Sequence, residues 1–244
     1  MSTRERPERF AAGAKIDTFM AGNGRASRAF YMFAWFLVVP LFRLYTRMTI
    51  EGREHIPEHG PFVLAPVHRS YVDTPVAGSL TRRRLRFMGK QEMWKHRSAG
   101  WVFSALGGFP VNRGAADREA MRRAIAVLEA GEGLVLFPEG ERKDGPTVHP
   151  LFDGAVYIAV KAGVPIVPVG IGGSDKVMPR GAKFVFPRKV HVEIGPPLDP
   201  PAAAGSRLAR SAVADHSARL HAELQRLYDV ASAKAATPGA PRAG

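Results

Sequence analysis

The chain has 244 residues, 45% of them apolar, enough to bury the core of one domain. It contains no cysteine, which excludes a disulfide framework, a Cys-ligated zinc site and a thiol nucleophile. Its net charge of +13 calls for an anionic partner, be it nucleic acid, a phospholipid surface or a phosphorylated small molecule.

Residues 1–24 are polar and basic, without hydrophobic period, and read as a mobile tail. The apolar run starts at Ala29, too far in for an ordinary signal peptide, so the expected compartment is the cytoplasm. From Ala29 to Phe42 the chain is uncharged. As helix this stretch measures about 21 Å against a hydrocarbon core of roughly 30 Å, short for a crossing. Arginines flank it on both sides, and Phe30, Tyr31, Phe33, Trp35 and Phe36 are the residue types of a headgroup interface. Residues 25–47 are therefore expected to form an interfacial membrane helix, bent or broken near Pro40, the alternative being a buried core helix.

Met48 to Glu51 and Pro61 to Val67 are short apolar runs bounded by Gly or Pro and read as strands. The second leads into His68, with Asp73 five positions on. Neither a helix nor a strand would bring side chains at that spacing together, but a turn at His68–Ser70 followed by a helix start does. Ser70 and Asp73 have capping-box spacing. Asp73 can then hold one imidazole nitrogen and leave the other to take a proton.

The basic cluster Arg82, Arg83, Arg84 and Arg86 suits either a solvated face or an anionic membrane. Leu85 to Gly89 reads as a strand ending at Lys90, Trp94 to Phe103 as short helical turns, and Gly107 to Arg113 as an extended segment. Asp117 to Ala130 has the clearest helical period, stopped by Gly131. Gly133 to Phe137 is a buried-type strand that empties into a Glu139-Gly140-Glu-Arg142 loop. A helix over Phe152–Ala162 precedes Val164 to Val169, whose prolines suggest an irregular or edge strand. Lys183 to Phe186 and Lys189 to Ile194 look like a late strand pair. Ser206 to Val230 is a long helix, and residues 231–244 read as a disordered tail.

Alternating strands and helices predict an α/β fold with a mixed, mostly parallel sheet flanked by helices, and strand-end residues gathered at one edge. Those residues are His68, Lys90, Arg113 and Glu139. Arg113 and Arg142 can grip phosphate oxygens in pairs, Lys90 adds a point charge, and Gly140 permits close backbone approach.

His68-x-x-x-x-Asp73, Gly107-x-Phe-x-Val-x-Arg113, Phe137-Pro-Glu-Gly-x-Arg142 and Val164-Pro-Ile-Val-Pro168 stand in the order and spacing of the four motifs of the glycerolipid acyltransferases, and the chain resembles that family over about residues 60–195. The resemblance implies a glycerol-3-phosphate acyltransferase-like fold, residues 48–230 forming the acyltransferase domain, preceded by a membrane-associated helical element. It implies transfer of a fatty acyl group from acyl-CoA or acyl carrier protein to the free hydroxyl of 1-acylglycerol 3-phosphate, giving phosphatidic acid, with no covalent intermediate, metal or cofactor. His68 resembles the general base and Asp73 its orienting partner; Lys90, Arg113, Glu139, Gly140 and Arg142 resemble the acceptor phosphate and glycerol site. Val67 stands where many relatives have Asn, and Glu141 and Lys143 where hydroxyl residues are common. The expected partners are the acyl donor, a lysophospholipid and an anionic membrane surface, at the cytoplasmic face of the cell membrane, peripheral or monotopic.

Other acceptors remain open within this chemistry: glycerol 3-phosphate, another lysophospholipid or a glycolipid precursor. A non-catalytic basic protein is the reading from another class, but nucleic-acid binding lacks a recognition helix, an RNA-binding aromatic motif or zinc-finger spacing. A metal-dependent hydrolase lacks a second histidine at ligand spacing, His149 and His191 being isolated.

Overall fold

The computed structural model describes residues 22–111, 118–200 and 210–237. The expected basic tail therefore lies almost wholly outside the described residues. In chain order the elements are α1 (Arg25–Tyr45), β1 (Thr49–Glu51), β2 (Val63–Pro66), α2 (Asp73–Gly78), β3 (Arg86–Lys90), α3 (Arg97–Ala105), β4 (Gly108–Val111), α4 (Arg118–Glu129), β5 (Leu134–Val135), α5 (Gly154–Ala162), β6 (Ile166–Gly172), α6 (Ser174–Val177), β7 (His191–Ile194) and α7 (Arg210–Ala236). The strands form a seven-stranded sheet in the order β1-β7-β6-β2-β5-β3-β4. Every pairing is parallel except β6 with β7. The mixed, mostly parallel α/β sheet expected from the sequence is what forms.

A parallel sheet needs cover on both faces, and its inner strands accordingly lack apolar-polar alternation. All four residues of β2 and all seven of β6 are buried. Val127 and Leu128 of α4, Val156 and Ile158 of α5, and Leu220 and Leu224 of α7 join them in one core.

Three expectations need correction. β6 is central, not an edge. The Pro168 carbonyl accepts from Gly195, while Ile166 exchanges backbone hydrogen bonds with Leu198. Strand geometry points the side of Pro168 that lacks an N–H at this Gly195–Leu198 crossing, where regular pairing has lapsed, so no ladder bond is lost. Residues 183–186 form no strand; the antiparallel pairing comes from β7 lying against β6. Residues 231–236 are helical rather than part of a disordered tail. The reason is close packing: a Cβ at Gly170 would stand 2.4 Å from the Leu227 carbonyl, and one at Gly172 would stand 2.2 Å from that of Ala231. Two glycines on the strand let the helix backbone settle directly on the sheet, and Ala231 is buried there although the segment is poor in large apolar residues.

α1 runs unbroken through Pro40 for 21 residues, about 31 Å of helix, long and apolar enough to cross a membrane. It is no core helix. Phe33, Phe36, Leu37, Leu41 and Leu44 are exposed at spacings of three and four, one continuous outer stripe. Its inner side docks by polar handles: Tyr31 Oη donates to the Arg83 carbonyl, Trp35 Nε1 to that of Thr81, and Arg43 to that of Ser79. Burial pushes the Tyr31 phenol up to about 12. The helix thus lies along the body, inner side fixed and outer side bare.

Candidate active site

Strands β2, β5, β3 and β4 stand side by side. Register pairs Leu64 with Val135, Val135 with Phe87, and Lys90 with Val111, so their C-terminal ends share one height. His68 follows β2, the Pro138–Lys143 loop follows β5, and Lys90 ends β3, exposed. Arg113, two residues beyond β4, lies outside the described residues.

The turn after β2 brings His68 and Asp73 together as their spacing suggests. Asp73 is the first residue of α2 and fully buried. Its Oδ2 sits 3.1 Å from His68 Nδ1 and accepts the backbone N–H groups of Arg69 and Ser70, both at 2.6 Å. One oxygen thereby fixes the turn and the ring at once. The capping box is only half formed: Asp73 takes the Ser70 N–H, but Ser70 Oγ donates to the Met178 carbonyl and the helix N-cap is Val72. The His68 ring stacks on Phe137, centroids 4.0 Å apart at 23°. With 16% of its side chain exposed, its Nε2 is left without a protein hydrogen bond among the described residues. That is the arrangement of a base with one nitrogen anchored and the other open.

Glu139 differs from the expectation. It is fully buried, Oε2 accepting from Arg69 Nη1 at 2.7 Å and from the His68 N–H at 3.1 Å, Oε1 from the His149 N–H at 3.0 Å. Both oxygens are engaged inside the protein, so Glu139 holds the His68 turn from below rather than facing a ligand. Arg69 completes the lock through the His68 and Thr147 carbonyls. Sequence reading passed over Arg69; the available signal was opposite charges just beyond two strands that turn out to be neighbours.

Gly140 has φ +71°, and a Cβ there would meet the Phe152 ring at 2.7 Å, so the tight loop requires glycine. Arg142 stacks on Tyr71, 3.5 Å from its ring centroid, which carries its charge onto the turn between His68 and Asp73. The substituted positions Glu141 and Lys143 pair with each other at 2.7 Å, and the Lys143 N–H donates to the His68 carbonyl.

The basic cluster is mostly structural. Arg83 donates to the carbonyls of Pro57 and Gly60, Arg84 to that of Gly22, and Arg86 is buried against Glu132. A cavity of about 590 Å³ opens on the other flank of β2, lined by Arg69, Lys143, Lys176 and Arg180, but not by His68. Three of these cations are already paired, with Glu139, Glu141 and Asp144. Glu51, His191 and Glu193 cluster like metal ligands, yet Lys234 Nζ already lies against both carboxylates.

A family model described as Acyltransferase matches residues 47–172, more than half of the chain. The chain belongs to the acyltransferase family. Among its relatives, the chloroplastic 1-acyl-sn-glycerol-3-phosphate acyltransferase of Brassica napus is 30% identical over 145 residues, 58% of this chain and 42% of that protein. The lyso-ornithine lipid O-acyltransferase of Pseudomonas aeruginosa is 30% identical over 112 residues, 46% of this chain and 43% of that protein. The matches to the Brassica napus protein and to its chloroplastic counterpart of Arabidopsis thaliana span about two fifths of their length. The crystal structure of the 1-acyl-sn-glycerophosphate (LPA) acyltransferase PlsC from Thermotoga maritima is similar with a TM-score of 0.61 and 27% identity, covering 81% of this chain and 88% of that one. The family match spans β1 to β6, and so includes His68, Asp73 and the Glu139 loop.

Proposed function

We propose that the protein is an O-acyltransferase that moves a fatty acyl group from acyl-CoA or acyl carrier protein to the free hydroxyl of 1-acylglycerol 3-phosphate, giving phosphatidic acid for phospholipid synthesis. The observation that carries this reading is His68 Nδ1 held by a buried Asp73 while Nε2 stays open, in a chain whose relatives are named for this reaction. The acceptor hydroxyl gives its proton to Nε2 as its oxygen adds to the thioester carbonyl, and collapse of the tetrahedral intermediate expels the thiolate, which recovers the proton. Asp73 fixes the tautomer and stabilises the imidazolium, as the acid does in a serine-protease triad. Lys90, Arg113 and Arg142 take the acceptor phosphate, while Glu139 and Gly140 shape the loop beneath it. No metal or cofactor enters this scheme beyond the acyl donor, and chelation should leave the rate unchanged. The work is done at the cytoplasmic face of the membrane, where α1 rests its outer stripe among the headgroups and the lipid substrates reside.

Similarity to the lyso-ornithine lipid enzyme favours a second reading, the same chemistry on a lysolipid without a phosphate ester. The deciding assay offers palmitoyl-CoA and acyl carrier protein donors with 1-acylglycerol 3-phosphate, glycerol 3-phosphate and lyso-ornithine lipid, with His68→Ala alongside. We expect diacyl phosphate product, reduced at least about a hundredfold in the variant with its fold intact. Unchanged turnover in His68→Ala would sink the mechanism; transfer only to lyso-ornithine lipid would replace the acceptor.

A further inference from the structure

The segment after α6 carries a second bare apolar surface. Phe184 is 75% exposed, and Val185 and Phe186 beside it are also exposed, bracketed by exposed Lys183 and Arg188. A soluble surface does not usually present two phenylalanines in a three-residue exposed apolar run with a cation at each end, and such patches mark interaction sites. The segment is not loosely hung. Phe186 N–H donates to the Val177 carbonyl, Tyr45 Oη donates to the Val185 carbonyl at 2.9 Å, and Arg47 donates to that of Pro187. Val190, where the segment ends, exchanges backbone hydrogen bonds with Thr46 and Thr49. The patch is therefore sewn to the end of α1, whose last exposed residues, Leu41, Leu44 and Tyr45, continue the outer stripe toward it.

Register places this join at the catalytic edge. Thr49 pairs with His191 and His191 with Gly172, the last residue of β6, while Val67 N–H reaches the Val169 carbonyl one step before His68. Met178, at the start of the segment, accepts from Ser70 in the catalytic turn at 2.8 Å.

We infer that Lys183–Arg188 is a second membrane-contacting element, Phe184 and Phe186 entering the headgroup region of an anionic bilayer while Lys183 and Arg188 meet its phosphates. This rests on the reading of α1 as membrane-facing. The docked stripe of α1 sets the roll of the molecule on the bilayer, and a second contact joined to its end, at the edge that holds His68, also sets the tilt, so that together they fix which way the site faces. An acidic carrier protein is the other partner that the cations would suit, but an exposed Phe184-Val185-Phe186 run tied to the end of a bare helix stripe favours lipid.

The test uses the absence of cysteine. The full chain is prepared as Phe184→Cys and, separately, as Phe36→Cys, each labelled with an environment-sensitive fluorophore. Each is mixed with vesicles of phosphatidylcholine, with and without phosphatidylglycerol, or with acyl carrier protein. We expect a blue shift at both positions, stronger with phosphatidylglycerol. In unlabelled protein, Phe184→Ser with Phe186→Ser should weaken vesicle partitioning at least about tenfold with the melting temperature unchanged. Neutralisation, Lys183→Gln and Arg188→Gln, should remove about fivefold per residue, only where phosphatidylglycerol is present. A shift at position 36 without one at 184 overturns the inference and leaves the α1 reading standing. No shift at either overturns both, and a shift at 184 with carrier protein but not with vesicles replaces the lipid by a protein partner.

Discussion

Asp73 and Glu139 are both fully buried carboxylates within reach of His68, yet they act differently because of what each oxygen touches. Asp73 Oδ2 binds the ring and two backbone N–H groups of one short turn, so its effect is confined to where the imidazole sits. Glu139 ties its own loop to two others, the His68–Arg69 turn and the stretch at His149. Removing one member of a buried pair leaves the other charge uncompensated, at a cost of about 3–5 kcal/mol. Glu139→Ala should therefore lower the unfolding free energy by about that amount in urea titration, and Arg69→Met with Glu139→Leu should recover much of it. A loss in the single variant below about 1 kcal/mol would show that Arg69 finds other partners. The His68–Asp73 pair was legible because five-residue spacing admits few geometries. Glu139 was misplaced as a ligand-facing residue because its role depends on Arg69, and which charge stands opposite a strand end is decided by sheet order, which the sequence does not spell out.

The elements show the same division. The α4 helix and the buried strand β5 declare themselves by apolar period and run length, whereas β6 was misjudged by a proline rule that holds only where a ladder bond would be lost. The end of α7 was misjudged because packing there depends on the absence of side chains, at Gly170 and Gly172, more than on the presence of large ones. Gly172→Ala would set a Cβ against the backbone of Ala231 and Ser232, at 2.2 to 2.5 Å. Backbone cannot swing aside as a flexible side chain can, so α7 must lift, and a loss of about 1–3 kcal/mol is expected. Gly154→Ala, where a Cβ meets nothing within 4 Å, is the matched control and should be neutral in the same thermal melts. α7 also carries His216, 3% exposed, its Nε2 buried and without a hydrogen-bond partner among the described residues. Burial, aided by Arg219, lowers its pKa below the ordinary value of 6.5. The unfolded chain then binds the proton more readily than the folded one, so stability is held above about pH 6.5 and falls as the pH drops below it. His216→Phe should flatten that acid limb of the melting-temperature profile; an unchanged slope would mean that other groups set it.

For the whole molecule, charge and apolar exposure have to be considered together. Three of the four arginines in the cluster that suggested a lipid surface, Arg83, Arg84 and Arg86, are engaged internally, and the sequence could not separate these from exposed cations because a run of arginines looks alike whether buried or bare. The apolar signal was clearer, but only the fold shows that the inner side of α1 is occupied and its outer stripe is not. That division yields a prediction about where catalysis happens. Phe36, Leu37 and Leu41 are exposed, so replacing all three by serine removes no core contact and should leave the melting temperature in place. Each would transfer about 1.5–3 kcal/mol if fully buried in lipid, so even partial insertion predicts at least a hundredfold loss of vesicle partitioning. A general base acts only on a hydroxyl within hydrogen-bond reach, so an enzyme that leaves the bilayer loses access to an acceptor dissolved in it. Turnover of a long-chain lysophospholipid in vesicles should fall with partitioning, while transfer to a short-chain, water-soluble analogue should stay within about twofold of wild type, since no atom near His68 has changed. Equal losses on both acceptors would mean that α1 shapes the site itself instead of delivering it to the membrane.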